Sequence, residues 1–370
     1  YYFCPRKNKG ISRDEKYFVM NNKQAIHITS ILILFLLAIP IMVGCGGNNS
    51  APDLSNIKIK LTSQRLDKDL YNLDTSNIGA GLQKLQGQYP EFLGFYLDTL
   101  MGFSIRGDFN DTNPGIQKGL RTFLTHKDYR GVFDTVLKHY PDEAVVNKEL
   151  VNGFEYMKHY FPDYKEPHII YLVSGLNNYG ALTFGENTVG IGLDMFLGAD
   201  YPFYKSVGIP DYFSRQLNRN YIPVAVTRTL YRESHPFIVD GKVLLDMMLQ
   251  SGKEMYFTGK ILPHIEEHVR FAYTPEQLKW CEENEAMIYD FFVRSQLLYE
   301  NNLQKVVRYV MDGPSATGMP PESPGNIGAW VGLQIVEAYM KENPKTTLKE
   351  LIEAPIDAQR FLLESKYKPK

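Results

Sequence analysis

Five consecutive residues, His264-Ile265-Glu266-Glu267-His268, carry a metal-binding spacing. Histidines four apart share one face of a helix, so both imidazoles could hold one Zn²⁺, with Glu267 polarising a metal-bound water. This H-x-x-E-H pattern gives one functional expectation, a zinc-dependent hydrolase using His264, Glu267 and His268. The surroundings point the other way. Pro263 stands just before the motif, and Glu266, Glu267 and Arg270 make the stretch polar, as in an exposed helix end or a loop. A catalytic zinc also needs a third protein ligand, and no downstream acid is singled out. Glu233-Ser234-His235 is weaker, because adjacent Ser and His side chains point apart and make no nucleophile–base pair by themselves.

Other chemistries lack their motifs. There is no G-x-x-x-x-G-K-[ST] phosphate loop. Gly190-Ile191-Gly192 fails as a dinucleotide fingerprint because Met195 takes the third glycine position. Ser174 lacks the preceding glycine of a nucleophile elbow. No calcium loop is present. Apart from the H-x-x-E-H residues, which keep the zinc-dependent hydrolase as the alternative, these motifs lead to no catalytic residue and no cofactor.

The N-terminal region carries a different kind of chemistry. Residues 1–19 have no organised hydrophobic pattern and read as an extension that is not translated, ahead of Met20. Lys23 and the apolar run Ile31 to Val43 then have the layout of a secretory signal, too short to span a bilayer of ~30 Å. The run ends in Ile41-Met42-Val43-Gly44-Cys45, which resembles a bacterial lipobox. Small Gly44 admits the peptidase, and the Cys45 thiol can carry a diacylglyceryl group, with palmitate among the acyl chains of the lipid. Cleavage between Gly44 and Cys45 makes residues 20–44 a signal peptide and residues 45–56 a flexible tether. Several acyl chains anchor stably, at about 0.8 kcal/mol per buried CH₂.

Removal of residues 1–44, with six Lys/Arg and two Asp/Glu, takes the net charge from −2 to −6. An acidic body argues against a nucleic-acid partner. Membrane attachment then rests on the Cys45 lipid. Of the three cysteines, Cys4 falls in the extension, Cys45 is the anchor, and Cys281 reads as a core thiol.

The remaining chain, 57–370, reads as a single globular α+β domain that is predominantly helical. Ile57–Leu61 alternates as a strand. His168–Val173 is an unbroken apolar run that suits a buried strand, and Ala181–Phe184 with Thr188–Leu193 form a hairpin around Gly185-Glu186-Asn187. Helices are expected over 91–101, 115–123, 132–139 and 143–160, and throughout from Asp211 onward. Thr274-Pro275-Glu276-Gln277 starts one with a capping box, and Cys281, Ile288, Phe292 and Ser295 follow on one face. The aromatic share, 13%, reads as filling of a helical core more simply than as a sugar- or peptide-binding surface.

Several stretches resemble the gliding-motility lipoprotein B (GldB) family of Bacteroidetes. They begin with Arg65-Leu66-Asp67-Lys68-Asp69-Leu70 and Gly192-Leu193-Asp194-Met195-Phe196-Leu197-Gly198. Gly252-Lys253-Glu254-Met255-Tyr256 and Tyr273-Thr274-Pro275-Glu276-Gln277 through Trp280-Cys281-Glu282-Glu283-Asn284-Glu285 follow. Tyr201-Pro202-Phe203-Tyr204, Gly208-Ile209-Pro210-Asp211-Tyr212, Glu322-Ser323-Pro324-Gly325-Asn326-Ile327-Gly328-Ala329-Trp330-Val331-Gly332 and the closing Ser365-Lys366-Tyr367-Lys368-Pro369 complete the set. Asn326 stands where the family usually has a basic residue.

The resemblance implies a non-catalytic lipoprotein of the cell envelope. After Cys45 there is no acidic cluster like the surface-export signal of many Bacteroidetes lipoproteins, so the body is expected to face the periplasm. Its partners would be other envelope proteins of the gliding and type IX secretion machinery. It also implies a zincin-like peptidase fold without its metal site. In that comparison, 223–234 stands in place of the metal helix without a histidine pair. Ser251 stands in place of the third, acidic ligand.

Overall fold

The computed structural model describes residues 52–103, 114–177 and 180–370. The lipobox, Gly44 and Cys45 included, lies outside the described residues. Of the two units into which the chain divides, Asp53–Lys370 is the one described.

Four strands form one mixed sheet in the order β1-β2-β4-β3. They are β1 (Thr62–Arg65), β2 (His168–Leu172), β3 (Ala181–Phe184) and β4 (Thr188–Gly192). β1 and β4 flank β2 in parallel, and β3 closes the hairpin antiparallel to β4. β2 is buried from Ile169 to Leu172, as its apolar run requires of a strand covered on both faces. The hairpin lies where its turn residues predict, and Gly185 takes a left-handed φ of 57°.

The first strand is displaced from its expected place. Ile57, Ile59 and Leu61 are half-buried and Lys58 and Lys60 exposed, so the alternation is real. Pairing nevertheless begins only at Thr62, opposite His168. Pro167 precedes His168 and has no N–H to extend the ladder backward.

Helices make up most of the described chain. Those before β2 include α1 (Leu66–Tyr71), α2 (Ile78–Gln88), α3 (Pro114–Thr125), α4 (Lys127–His139) and α5 (Ala144–Tyr160). After the hairpin come α6 (Ile222–Ser234), α7 (Leu244–Ile261), α8 (Pro275–Glu283), α9 (Glu285–Arg294) and α10 (Ile327–Glu342). α6 packs on β3, and α7 packs on α6, α5 and, most extensively, α10. α7 is buried almost all round, from Leu244 to Ile261, which makes it the central helix of the domain. No helix among the described residues is long and apolar enough to cross a membrane.

The expected helix from Thr274 breaks in two at Asn284. Cys281, Ile288 and Phe292 are still buried on one side of the pair, but Ser295 caps α9 and is exposed. Burial pushes the Cys281 thiol well above its ordinary pKa, as befits a core residue. The Thr274 capping box forms: its hydroxyl accepts from Gln277 N at 3.2 Å, and Gln277 Oε1 accepts from Thr274 N at 3.1 Å. Thr274→Ala is expected to lower stability by about 1 kcal/mol, read as a lower urea midpoint with an unchanged slope.

A buried carboxylate fixes the loop after β2. Asp194, just after β4, accepts hydrogen bonds from Ser174 N, Leu176 N and Ser174 Oγ at 2.8, 2.8 and 3.0 Å. Leu176 is thereby held at φ 61°. Burial raises the Asp194 pKa, and the three hydrogen bonds offset part of the rise.

Candidate functional site

A cavity of about 750 Å³ opens between α6, α7, the start of α10 and the beginning of β3. Its polar wall is built from α6. Arg228 and Arg232 are one helical turn apart and so emerge on the same face. Between them stands Glu254 of α7, nearly fully buried. Arg228 Nε donates to Glu254 Oε1 at 2.6 Å, and an Arg232 Nη lies 3.0 Å from the same oxygen. Arg228 also donates to the Tyr221 hydroxyl at 3.0 Å.

The electrostatics follow from this geometry. Burial alone would push the Glu254 pKa up, but attraction and hydrogen bonds from Arg228 and Arg232 outweigh it, and the carboxyl titrates below its ordinary value. Burial likewise disfavours the Arg228 charge, yet Glu254, Tyr221 and Asp312 hold the guanidinium protonated. Arg228 and Glu254 are both shielded, with side-chain exposures of 13% and 4%, whereas Arg232 is 51% exposed. The cluster is thus a buried ion pair with a third charge at its open end.

The rest of the cavity is mixed. Ser251 of α7 lines it, as does Asn326, which precedes α10 at φ 55°. That left-handed conformation is one asparagine tolerates well. Asn326 Nδ2 donates to Asp312 Oδ1 at 3.2 Å, and its own Oδ1 has no partner. Phe213, Val239, Val310 and Met255 supply apolar surface.

The structure places the H-x-x-E-H residues elsewhere and apart. The short helix there starts at Glu267, so His264 lies in the preceding turn and does not share a helical face with His268. The cause is local: Pro263 and the turn through Ile265 end α7 at Ile261, and the helix restarts only at Glu267. His264 Nε2 lies 3.3 Å from Glu149, and His268 Nδ1 lies 3.1 Å from Glu266. Glu267 faces Arg270 at 3.7 Å. Burial raises its pKa, partly offset by that arginine. Among the described residues no group of three His, Cys, Asp or Glu side chains could hold a metal ion.

The helices that carry 223–234 and 250–256 pack against each other, and Ser251 lines the same cavity as Arg228 and Arg232. What the sequence reading missed is the charge set itself. An R-x-x-x-R pair on a helix with an acid inside the apolar segment 244–261 was the available signal, but a search for histidine pairs passes over it.

No curated protein and no solved structure matches the chain. A family model described as gliding motility protein GldB matches residues 47–369, a span that includes α6, α7 and every residue of the cavity. The chain belongs to the GldB family of gliding-motility proteins.

Proposed function

We propose that the protein is a non-catalytic cell-envelope lipoprotein, held at the membrane by lipid on Cys45. It serves gliding motility and the associated type IX secretion apparatus by contacting other envelope proteins. Family membership supports the gliding and envelope parts of this reading. No acidic cluster follows Cys45 of the kind that sends lipoproteins to the surface, which supports a body that faces the periplasm.

The observation that carries the non-catalytic part is the Arg228–Glu254–Arg232 cluster. A general base works best with a pKa near the operating pH. Glu254 is pinned by two guanidiniums and its pKa is lowered, so it is a poor proton acceptor near neutrality. Guanidiniums stay charged and offer only donors. They neither take up a proton nor ligate a metal. We read Arg228 and Arg232 as occupying the i, i+4 positions of a peptidase histidine pair in a zincin-like architecture that has exchanged its metal for fixed charge.

Two measurements in cells that make the protein test this reading. Metabolic labelling with palmitate is expected to mark the wild-type protein and to be lost in Cys45→Ser. Chemical cross-linking of intact cells followed by mass spectrometry is expected to join the body to other envelope proteins. A wild-type body that is unlabelled, or one that yields only cross-links within itself, would overturn it.

A further inference from the structure

The cavity beside α6 is built to hold more than its own ion pair. Arg232 is half exposed and spends its charge on one oxygen of Glu254. A guanidinium has five N–H donors in a planar fork that matches a carboxylate. Its outward donors are therefore unspent. Asp312, the other acid of the cavity, acts on Arg228 and Tyr221 and accepts from Asn326.

Next to this charge the mouth is apolar and exposed. Phe237 and Met311 line the cavity with 36% and 58% of their surface open to water. The loop that carries Phe237 and Val239 is fixed between them: Gln250 of α7 accepts from Ile238 N and donates to Ile238 O, both at 2.8 Å. Phe237 and Met311 thus offer apolar surface to a partner beside the Arg232 charge.

The third feature is a sheet edge. β3 is the outer strand, and Gly180 and Ala181 at its start line the same cavity. All four β3 residues are half-buried. Among the described residues no backbone hydrogen bond joins the outer side of β3 to another element. An extended chain can pair with such an edge while its alternate side chains enter pockets.

We propose that the cavity receives an extended acidic segment of a partner protein. A Glu or Asp side chain of the segment docks on Arg232, its apolar neighbours pack on Phe237, Val239 and Met311, and its main chain lies along β3. Charge complementarity selects this occupant. An all-apolar segment leaves the Arg232 donors unspent, and a basic one meets the Arg232 guanidinium at the open end of the cluster. The volume suits it, since ligand pockets run from about 300 to 1,000 Å³. The proposal rests on the protein-contact reading above and gives it a site and a partner chemistry.

Fluorescence anisotropy with the purified full-length protein in detergent tests it. The probe is a labelled hexapeptide of alternating Val and Glu, capped at both ends. One control replaces Glu by Gln, and a second uses the Gln peptide with a free C-terminal carboxylate. The Val-Glu peptide is expected to bind, and the capped Val-Gln peptide to bind at least tenfold more weakly. Arg232→Gln is expected to weaken Val-Glu binding about tenfold, the loss of one charge-assisted contact, while Arg232→Lys recovers part of it. Arg232 is exposed enough for both variants to fold. Equal binding of the Glu and Gln peptides, no loss in Arg232→Gln, no binding of any peptide, or preference for the free carboxylate would each overturn the proposal. The lipid and cross-linking experiments are independent of these outcomes, so the two readings fail separately.

Discussion

Glu254→Ala is expected to destabilise the domain by about 3–5 kcal/mol, the cost of leaving a buried charge without its partner. The charge left behind is Arg228, shielded to 13% side-chain exposure and bonded otherwise to the Tyr221 hydroxyl. Arg232→Ala removes the other arm of the cluster, but that arm is 51% exposed, so its loss is expected to cost less than about 1 kcal/mol. The asymmetry between two residues bonded to the same oxygen is the informative result. Urea unfolding of the three proteins measures it.

The same cluster sets a pH dependence. The Glu254 pKa is lower in the folded chain than its ordinary value of 4.5. The unfolded state therefore binds the proton more readily. The contribution of this group is present above about pH 4.5 and is lost as pH falls through the folded value. The wild-type midpoint is expected to drop more steeply below pH 4.5 than that of Glu254→Gln, which has no such proton to bind. Equal slopes would mean that the carboxyl is not held ionised by Arg228 and Arg232.

Gly332→Ala is the second large effect. α7 and α10 cross at Gly252 and Gly332 with backbone against backbone. A Cβ on Gly332 would overlap the Met248 carbonyl oxygen and lie 2.6 Å from its carbon. A Cβ on Gly252 would meet the carbonyl of Gly332 and lie 2.8 Å from Leu333 N. Helix backbones cannot step aside as a side chain can, so the two central helices must separate. We expect about 3 kcal/mol or more of destabilisation for Gly332→Ala, at the upper end of overpacking costs. The gain in helix propensity, at most about 1 kcal/mol, does not offset it. Gly131 in the middle of α4 is the control, because nothing lies within 4 Å of a Cβ built there. Gly131→Ala is expected to stabilise by about 0.5–1 kcal/mol. Opposite signs for the same substitution in two helices would locate the constraint at the crossing rather than in glycine itself.

The elements legible from sequence are those specified locally. The 168–172 strand, the 181–192 hairpin and the Thr274 capping box each depend on residues a few positions apart, and all three form. Cys281 was readable as core because the apolar stripe around it repeats at helical spacing, and it is fully buried. The features that escaped depend on partners distant in the chain. The start of β1 is set by where β2 begins, 106 residues later, and not by the alternation of 57–61. Glu254 lies 26 residues beyond Arg228 and its role is visible only when α6 and α7 pack. Gly252 and Gly332 meet across two helices whose sequences separately give no reason for glycine. The break at Asn284 escaped too, since the apolar face continues across it from Cys281 to Ile288.

Zinc content of the purified full-length protein tests most directly whether this family member works without metal chemistry. The fixed-charge cluster of Arg228, Glu254 and Arg232, together with the separate engagement of His264 by Glu149 and His268 by Glu266, predicts far less than one zinc per chain. That content should be unchanged in a His264→Ala/His268→Ala double variant. One zinc per chain in the wild type, lost in the double variant while the protein stays folded, would contradict it.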